Sequence, residues 1–85
     1  MPEISRFLGI VIRMFHDDHG PPHFHAEYAE YSVKVEIWTG ALDGHFPPRA
    51  RRHLLEWYHL HREELLEDWK LVSSRQPPKP IAPLE

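Results

Sequence analysis

The chain has 85 residues, a formal charge of −3 with neutral histidines, and no cysteine. This length allows one modest hydrophobic core, and it excludes a cofactor-binding domain joined to a separate substrate domain. The lack of cysteine excludes a disulfide scaffold, a thiol nucleophile and cysteine-ligated zinc, and the charge excludes a uniformly basic surface for nucleic acid.

The first apolar run closes at Arg13, after too few residues to form a signal sequence or to cross a bilayer. We therefore expect a cytoplasmic protein without membrane contact. Composition changes once along the chain, near Phe46-Pro47-Pro48. This change predicts a single domain, 1–85, with a β-rich part over 1–46, a helical part over 47–74 and a proline-rich extended tail over 75–85.

Three segments of the β-rich part have the pattern of strands. Residues 9–15 form a β-branched run that suits a buried strand, and residues 23–28 and 31–38 alternate apolar and polar side chains. The two residues between the latter segments fit a hairpin, so these strands should be antiparallel neighbours. A short edge strand around Ala41 and Leu42 would bring the number of strands to four.

From Pro48 to Val72 apolar residues recur every three or four positions, which is the spacing of one amphipathic helix face. We predict one long helix to about Ser73, with a jog near His61 as the alternative. The prolines that follow would end it, because proline cannot continue the helical hydrogen bonds. The sequence thus predicts an α+β fold, in which one long C-terminal helix packs on one face of an antiparallel sheet of three to four strands.

Four of the eight histidines lie in the stretch H-D-D-H-G-P-P-H-F-H, residues 16–25. His23 and His25 are two apart on a predicted strand, so both should point away from Phe24 and could converge on one ion or substrate. A first hypothesis is a site for zinc, nickel, manganese or iron, because imidazole and carboxylate are ligands for these metals. The candidate ligands are His19, His23, His25 and Glu27, with His16 and Asp18 as further loop groups.

A second hypothesis needs no metal. His23 and His25 would exchange protons with a substrate as acid and base, while Arg13 and Lys34 stabilise the charge that develops on phosphorus during RNA cleavage. A third hypothesis is structural, with histidines that bind backbone groups or fill a half-buried surface. The stretch alone does not decide among the three.

Arg49, Arg51 and Arg52 lie at the predicted start of the helix. The helix dipole disfavours positive charge there, whereas backbone donors and guanidinium groups together suit an anion. These arginines therefore predict a phosphate-binding site, with a solvated helix face as the alternative.

Four motifs together resemble a family of small bacterial proteins classed as domain of unknown function 4160. They are I-S-R-F-x-G-I-V-I-R-M over 4–14, D-H-x-P-P-H-F-H over 18–25, E-W-x-x-L-H-R-E-E-L-L-E-x-W over 56–69 and I-x-P-L over 81–84. The resemblance implies no settled activity. It implies a nearby-encoded small partner protein, sometimes fused to a helix-turn-helix domain, in an arrangement like a toxin–antitoxin or regulatory pair.

The leading interpretation is a bacterial member of such a pair whose histidine-rich site binds a divalent metal or phosphate. A metal-independent ribonuclease acting on RNA and a non-enzymatic interaction module are the alternatives. An exposed Trp38 or a free sheet edge would also be compatible with a homodimer.

Overall fold

The computed structural model describes residues 3–16 and 19–85. Its strands are β1 (Glu3–Phe7), β2 (Ile10–Arg13), β3 (His23–Tyr28), β4 (Tyr31–Glu36) and β5 (Leu42–Gly44). Two helices follow, α1 (Pro48–Leu60) and α2 (Arg62–Ser73). The fold is therefore α+β, as the sequence predicts.

The five strands form one antiparallel sheet in the order β1-β2-β3-β4-β5. The predicted hairpin between β3 and β4 is confirmed, with Tyr28 paired to Tyr31 and Ala29 at a positive φ of 52°. On one face of the sheet, Ile12, Ala26 and Val33 form a buried cross-strand row. The opposite face, which we call the open face, carries the polar side chains of β2, β3 and β4.

Helix α1 covers the buried face of the sheet. Trp57 packs against Phe7 and Phe24, with ring centroids 5.2 and 5.9 Å apart respectively. The Tyr58 hydroxyl donates a hydrogen bond to the carbonyl oxygen of Ile37. The three- and four-residue spacing of apolar side chains thus produces the core contact that the sequence predicts.

The predicted number of three to four strands is wrong, because β1 adds a fifth. Its alternation is broken by an irregular register between Glu3 and Ser5, so that Ile4 and Ser5 are both buried. The turn that joins β1 to β2 contains Leu8 at φ 50°, a conformation usually signalled by glycine or asparagine. As a result, the sequence of β1 lacks the regular alternation of apolar and polar residues by which a strand is recognised.

The prediction of one long helix is also wrong, because the helix is interrupted at His61, whose φ is −122°. No proline or glycine causes the break. Arg62 donates hydrogen bonds to the carbonyl oxygens of Ile37 and Trp38, at 3.1 and 3.0 Å. These tertiary contacts lie at the junction of α1 and α2, where the jog was the predicted alternative.

The tail after α2 is extended and lies along the free edge of β1. The backbone N–H of Ile81 donates to the carbonyl oxygen of Ile4 at 2.8 Å, and Trp57 Nε1 donates to the carbonyl oxygen of Ala82 at 2.8 Å. The side chain of Ile81 is buried. The tail therefore covers an edge strand that would otherwise expose its hydrogen-bonding groups.

Candidate functional site

The register of the sheet places Arg13, His25 and Lys34 directly opposite one another on β2, β3 and β4. Directly opposite side chains on adjacent strands are close enough to interact. The three residues therefore form one cross-strand row on the open face, which we call the cationic row. The sequence predicts that these three residues act together, and the pairing of the strands adds their lateral alignment.

His25 is the centre of the cationic row and is half-buried. Its ring meets that of Phe15 edge to face, with centroids 4.6 Å apart, and lies 5.2 Å from the ring of His23. Aromatic neighbours on two sides restrict the positions that this imidazole can adopt. The two histidines therefore lie together on the open face, as their spacing predicts.

His23 lies deeper than the sequence suggests, with only 8% of its surface exposed. Its Nδ1 is 2.9 Å from the carbonyl oxygen of Pro21, and its ring centroid is 5.1 Å from that of Trp69 on α2. A carbonyl oxygen can only accept, so this contact is a hydrogen bond in which Nδ1 is the donor. Backbone and helix contacts thus fix the orientation of the His23 ring.

Glu27 lies two residues beyond His25 on the same face of β3. Its Oε1 accepts a hydrogen bond from Nε of Arg13 at 3.3 Å. This contact orients the guanidinium group at one end of the cationic row. Glu27 is thus engaged by Arg13, and its role as a metal ligand stays a prediction.

A cleft of about 280 Å³ lies beside the cationic row, between the turn before β3 and the strands β4 and β5. Its polar lining consists of His19, His23, Lys34, Glu36 and Asp43. Lys34 belongs to both the row and the cleft. The predicted residues His19, His23 and Lys34 therefore share one concave surface.

The predicted metal ligands do not form a three-ligand cluster within the described residues. In residues 3–16 and 19–85, no three histidine, aspartate or glutamate side chains are grouped so that they could hold a metal ion. Asp18, a predicted loop ligand, lies outside these residues. Metal binding stays a prediction.

The three predicted arginines at the start of α1 do not all line the same surface. Arg51 and Arg52 line a groove of about 510 Å³ together with His45 and the apolar residues Leu42, Phe46 and Leu55. We call this the basic groove. Arg49 is exposed and does not line it.

Several residues of these surfaces carry no individual signal in the sequence. Phe15 and Trp69, which pack against the two histidines, resemble ordinary core aromatics. Glu36 and Asp43 line the cleft only because the pairing of the strands brings them to it. A search based on alternation could find Glu36, which shares a face with Lys34, but not Asp43 on the short β5.

The chain belongs to the family described as domain of unknown function (DUF4160), whose pattern it matches over residues 9–70. This match includes β2, β3, β4, β5, α1 and most of α2, and it confirms the resemblance seen in the sequence motifs. Comparison with curated proteins and with solved structures finds no match. In the described part of the chain, neither helix is long and apolar enough to span a bilayer.

Proposed function

We propose that the open face of this domain binds a phosphate group of single-stranded RNA. The observation that carries the proposal is the cationic row, in which His25 lies between Arg13 and Lys34 on adjacent strands. Guanidinium and ammonium groups are the main protein ligands of phosphate, and imidazole adds a donor whose charge depends on pH. The aromatic ring of Phe15 next to His25 offers a surface on which a base can stack.

The two cations next to His25 favour an anion over a metal cation at this imidazole. Arg13 and Lys34 flank His25 on both sides, and a divalent cation bound at this imidazole would be repelled by them. Glu27 is already hydrogen-bonded to Arg13. These positive neighbours support phosphate as the ligand class at this position.

The cations of the row have acidic neighbours. Arg13 and Lys34 are accompanied by the carboxylates Glu3, Glu27, Glu36 and Asp43 of the row, its flanking strands and the cleft. Affinity for phosphate therefore depends on direct contacts with the two cations, and added salt should weaken it.

Metal-independent RNA cleavage is the second candidate, and the geometry of the histidine pair favours it. The rings of His23 and His25 lie 5.2 Å apart, and the contact of Nδ1 with the carbonyl oxygen of Pro21 orients the His23 ring. Two neighbouring imidazoles and two cations are the set that phosphodiester cleavage by acid–base catalysis requires.

The family resemblance supports a further part of the proposal, that this domain works with the product of an adjacent gene. Co-expression of the two proteins should give a stable complex on size-exclusion chromatography. Separate elution of the two folded proteins at micromolar concentrations would contradict this part alone.

The binding proposal is tested by fluorescence anisotropy with a labelled single-stranded RNA oligonucleotide. Lys34→Gln should weaken binding about five- to ten-fold and lower the slope of log affinity against log salt by about one, since one phosphate contact is lost. Lys70→Gln, which removes an exposed charge on α2, is the matched control and should bind like the wild type. Inorganic phosphate should compete with the RNA.

Equal affinities of wild type, Lys34→Gln and Lys70→Gln would overturn the proposed site. Incubation of the same RNA in the presence of a chelator tests the second candidate. Cleavage that is lost in folded His25→Gln would support catalysis, whereas RNA that binds at the row and stays intact would contradict it. Binding that requires added zinc would instead favour the metal hypothesis over direct phosphate contact.

A further inference from the structure

The basic groove combines an apolar floor with a cationic wall. Phe46 is buried at its base, and Leu42 and Leu55 are half-buried along it. Arg51 and Arg52 are exposed on the wall formed by α1. A volume of about 510 Å³ accommodates one large apolar side chain together with its neighbouring backbone.

The positive charge of the groove is not balanced locally. Among the described residues, Arg51 and Arg52 form no ion pair, and the first turn of α1 contains no acidic residue. The whole chain is nevertheless acidic, with a formal charge of −3. The groove is therefore a local basic surface on an acidic molecule, and its complement is a negatively charged ligand with an apolar part.

The strand β5 favours an extended peptide as that ligand. It is the last strand of the sheet and only three residues long, so one side of its backbone is not paired by the strands described. Leu42, at its start, lines the groove. A peptide that runs beside β5 can pair with the strand's backbone and place alternate side chains in the groove.

We infer that the basic groove is a docking site for a short acidic peptide segment of another protein. An apolar side chain of the segment occupies the floor formed by Phe46, Leu42 and Leu55. Carboxylates on either side of it pair with Arg51 and Arg52. The inference does not depend on phosphate binding at the open face, which uses different cations.

Fluorescence anisotropy with the isolated full chain tests this inference. The probe is a labelled peptide with one central leucine flanked by aspartates. Arg51→Gln combined with Arg52→Gln should weaken binding at least ten-fold, because two charged hydrogen bonds are lost. Arg6→Gln combined with Lys70→Gln removes the same net charge from exposed positions elsewhere and should leave the affinity unchanged.

Two altered peptides separate the contributions of charge and apolar contact. Replacement of the aspartates by asparagine, or of the leucine by serine, should each weaken binding at least five-fold. In Leu55→Ser, replacement of the peptide's leucine should cost less affinity than it does in the wild type. Thermal unfolding would check that each protein variant is folded.

Three results would overturn the inference. One is equal binding of the peptide to the wild type and to the double arginine variant. Another is a peptide affinity that does not change when the leucine is replaced, together with displacement of the peptide by inorganic phosphate. This result would mean that the groove is an anion site only. The last is a concentration-dependent dimer that the double arginine variant abolishes, which would mean that a second copy of this chain occupies the groove.

Discussion

The carboxyl group of Asp68 is buried on α2, where the spacing of the apolar stripe would place a hydrophobic side chain. The residue is 1% exposed and lies between Leu65 and Val72 on the buried face. Its Oδ1 accepts a hydrogen bond from the backbone N–H of Lys79 at 2.8 Å. Its Oδ2 has no hydrogen-bond partner among the described residues. Asp68 is thus separate from the exposed acidic residues Glu63, Glu64 and Glu67 of the same helix.

Burial raises the pKa of the Asp68 carboxyl above its ordinary value, because the charged form is poorly solvated there. The folded state therefore binds this proton more tightly than the unfolded state. The free energy of unfolding should fall as the pH rises from the ordinary aspartate range through the raised pKa. The stabilising contribution is complete only at lower pH.

Asp68→Asn should remove this pH dependence while keeping an oxygen that accepts from Lys79. Relative to the wild type, the variant should gain thermal stability as the pH rises from acidic to neutral values. The measurement is Tm against pH, and in a domain of this size 1 kcal/mol corresponds to about 4–8 °C. Glu63→Gln, at an exposed position of the same helix, is the control. Parallel curves for wild type and Asp68→Asn would contradict the argument.

The extended tail after α2 contacts three elements of the fold, β1, α1 and α2. Among the described residues, the backbone N–H groups of Lys79 and Ile81 and the carbonyl oxygen of Ala82 hold the tail through hydrogen bonds, and Lys79 also forms an ion pair with Glu67. The buried side chain of Ile81 adds an apolar anchor. The C-terminal residues are therefore part of the folded unit.

Ile81→Ala should lower the free energy of unfolding by about 2–4 kcal/mol, since a buried branched side chain is replaced by a methyl group. Pro83→Ala, at an exposed position of the same tail, should have little effect. Denaturant unfolding of the two variants measures the difference. Equal stabilities would show that the tail does not dock on the body.

The sequence predicts most elements because apolar side chains recur in them at regular intervals. The alternation in residues 23–28 and 31–36 gives the two central strands, and the stripe from Ala50 to Val72 gives the helical part. Strand β1 is missed because its register is irregular. The helix break at His61 is predicted only as an alternative, because it coincides with contacts between Arg62 and a distant turn.

The candidate site is predictable only in part, for similar physical reasons. Alternation places His23 and His25 on one face, but the cationic row needs the lateral register of three strands. The burial of His23 depends on Trp69, which the docking of α2 brings to it. The direction of a side chain is thus a local property of the strand. Its burial and the residues that contact it are set by tertiary packing.

At the scale of the whole molecule, the two proposed binding surfaces lie on either side of β5. Leu42 lines both the cleft beside the cationic row and the basic groove. The cationic row and the basic groove each bring two arginine or lysine side chains together on a chain whose formal charge is −3. This distribution favours binding of anionic groups at two defined places, because long-range attraction by the molecule as a whole is lacking.

The proposed binding site places the imidazole of His25, in the middle of the cationic row, in contact with the phosphate of RNA. Histidine side-chain NMR during addition of the RNA oligonucleotide measures this contact, with the His25 signal assigned by its loss in His25→Gln. We expect a saturable shift of the His25 signal, while the signal of exposed His59 on α1 stays in place. Saturable RNA binding with an unmoved His25 signal would show that the phosphate is bound away from the cationic row.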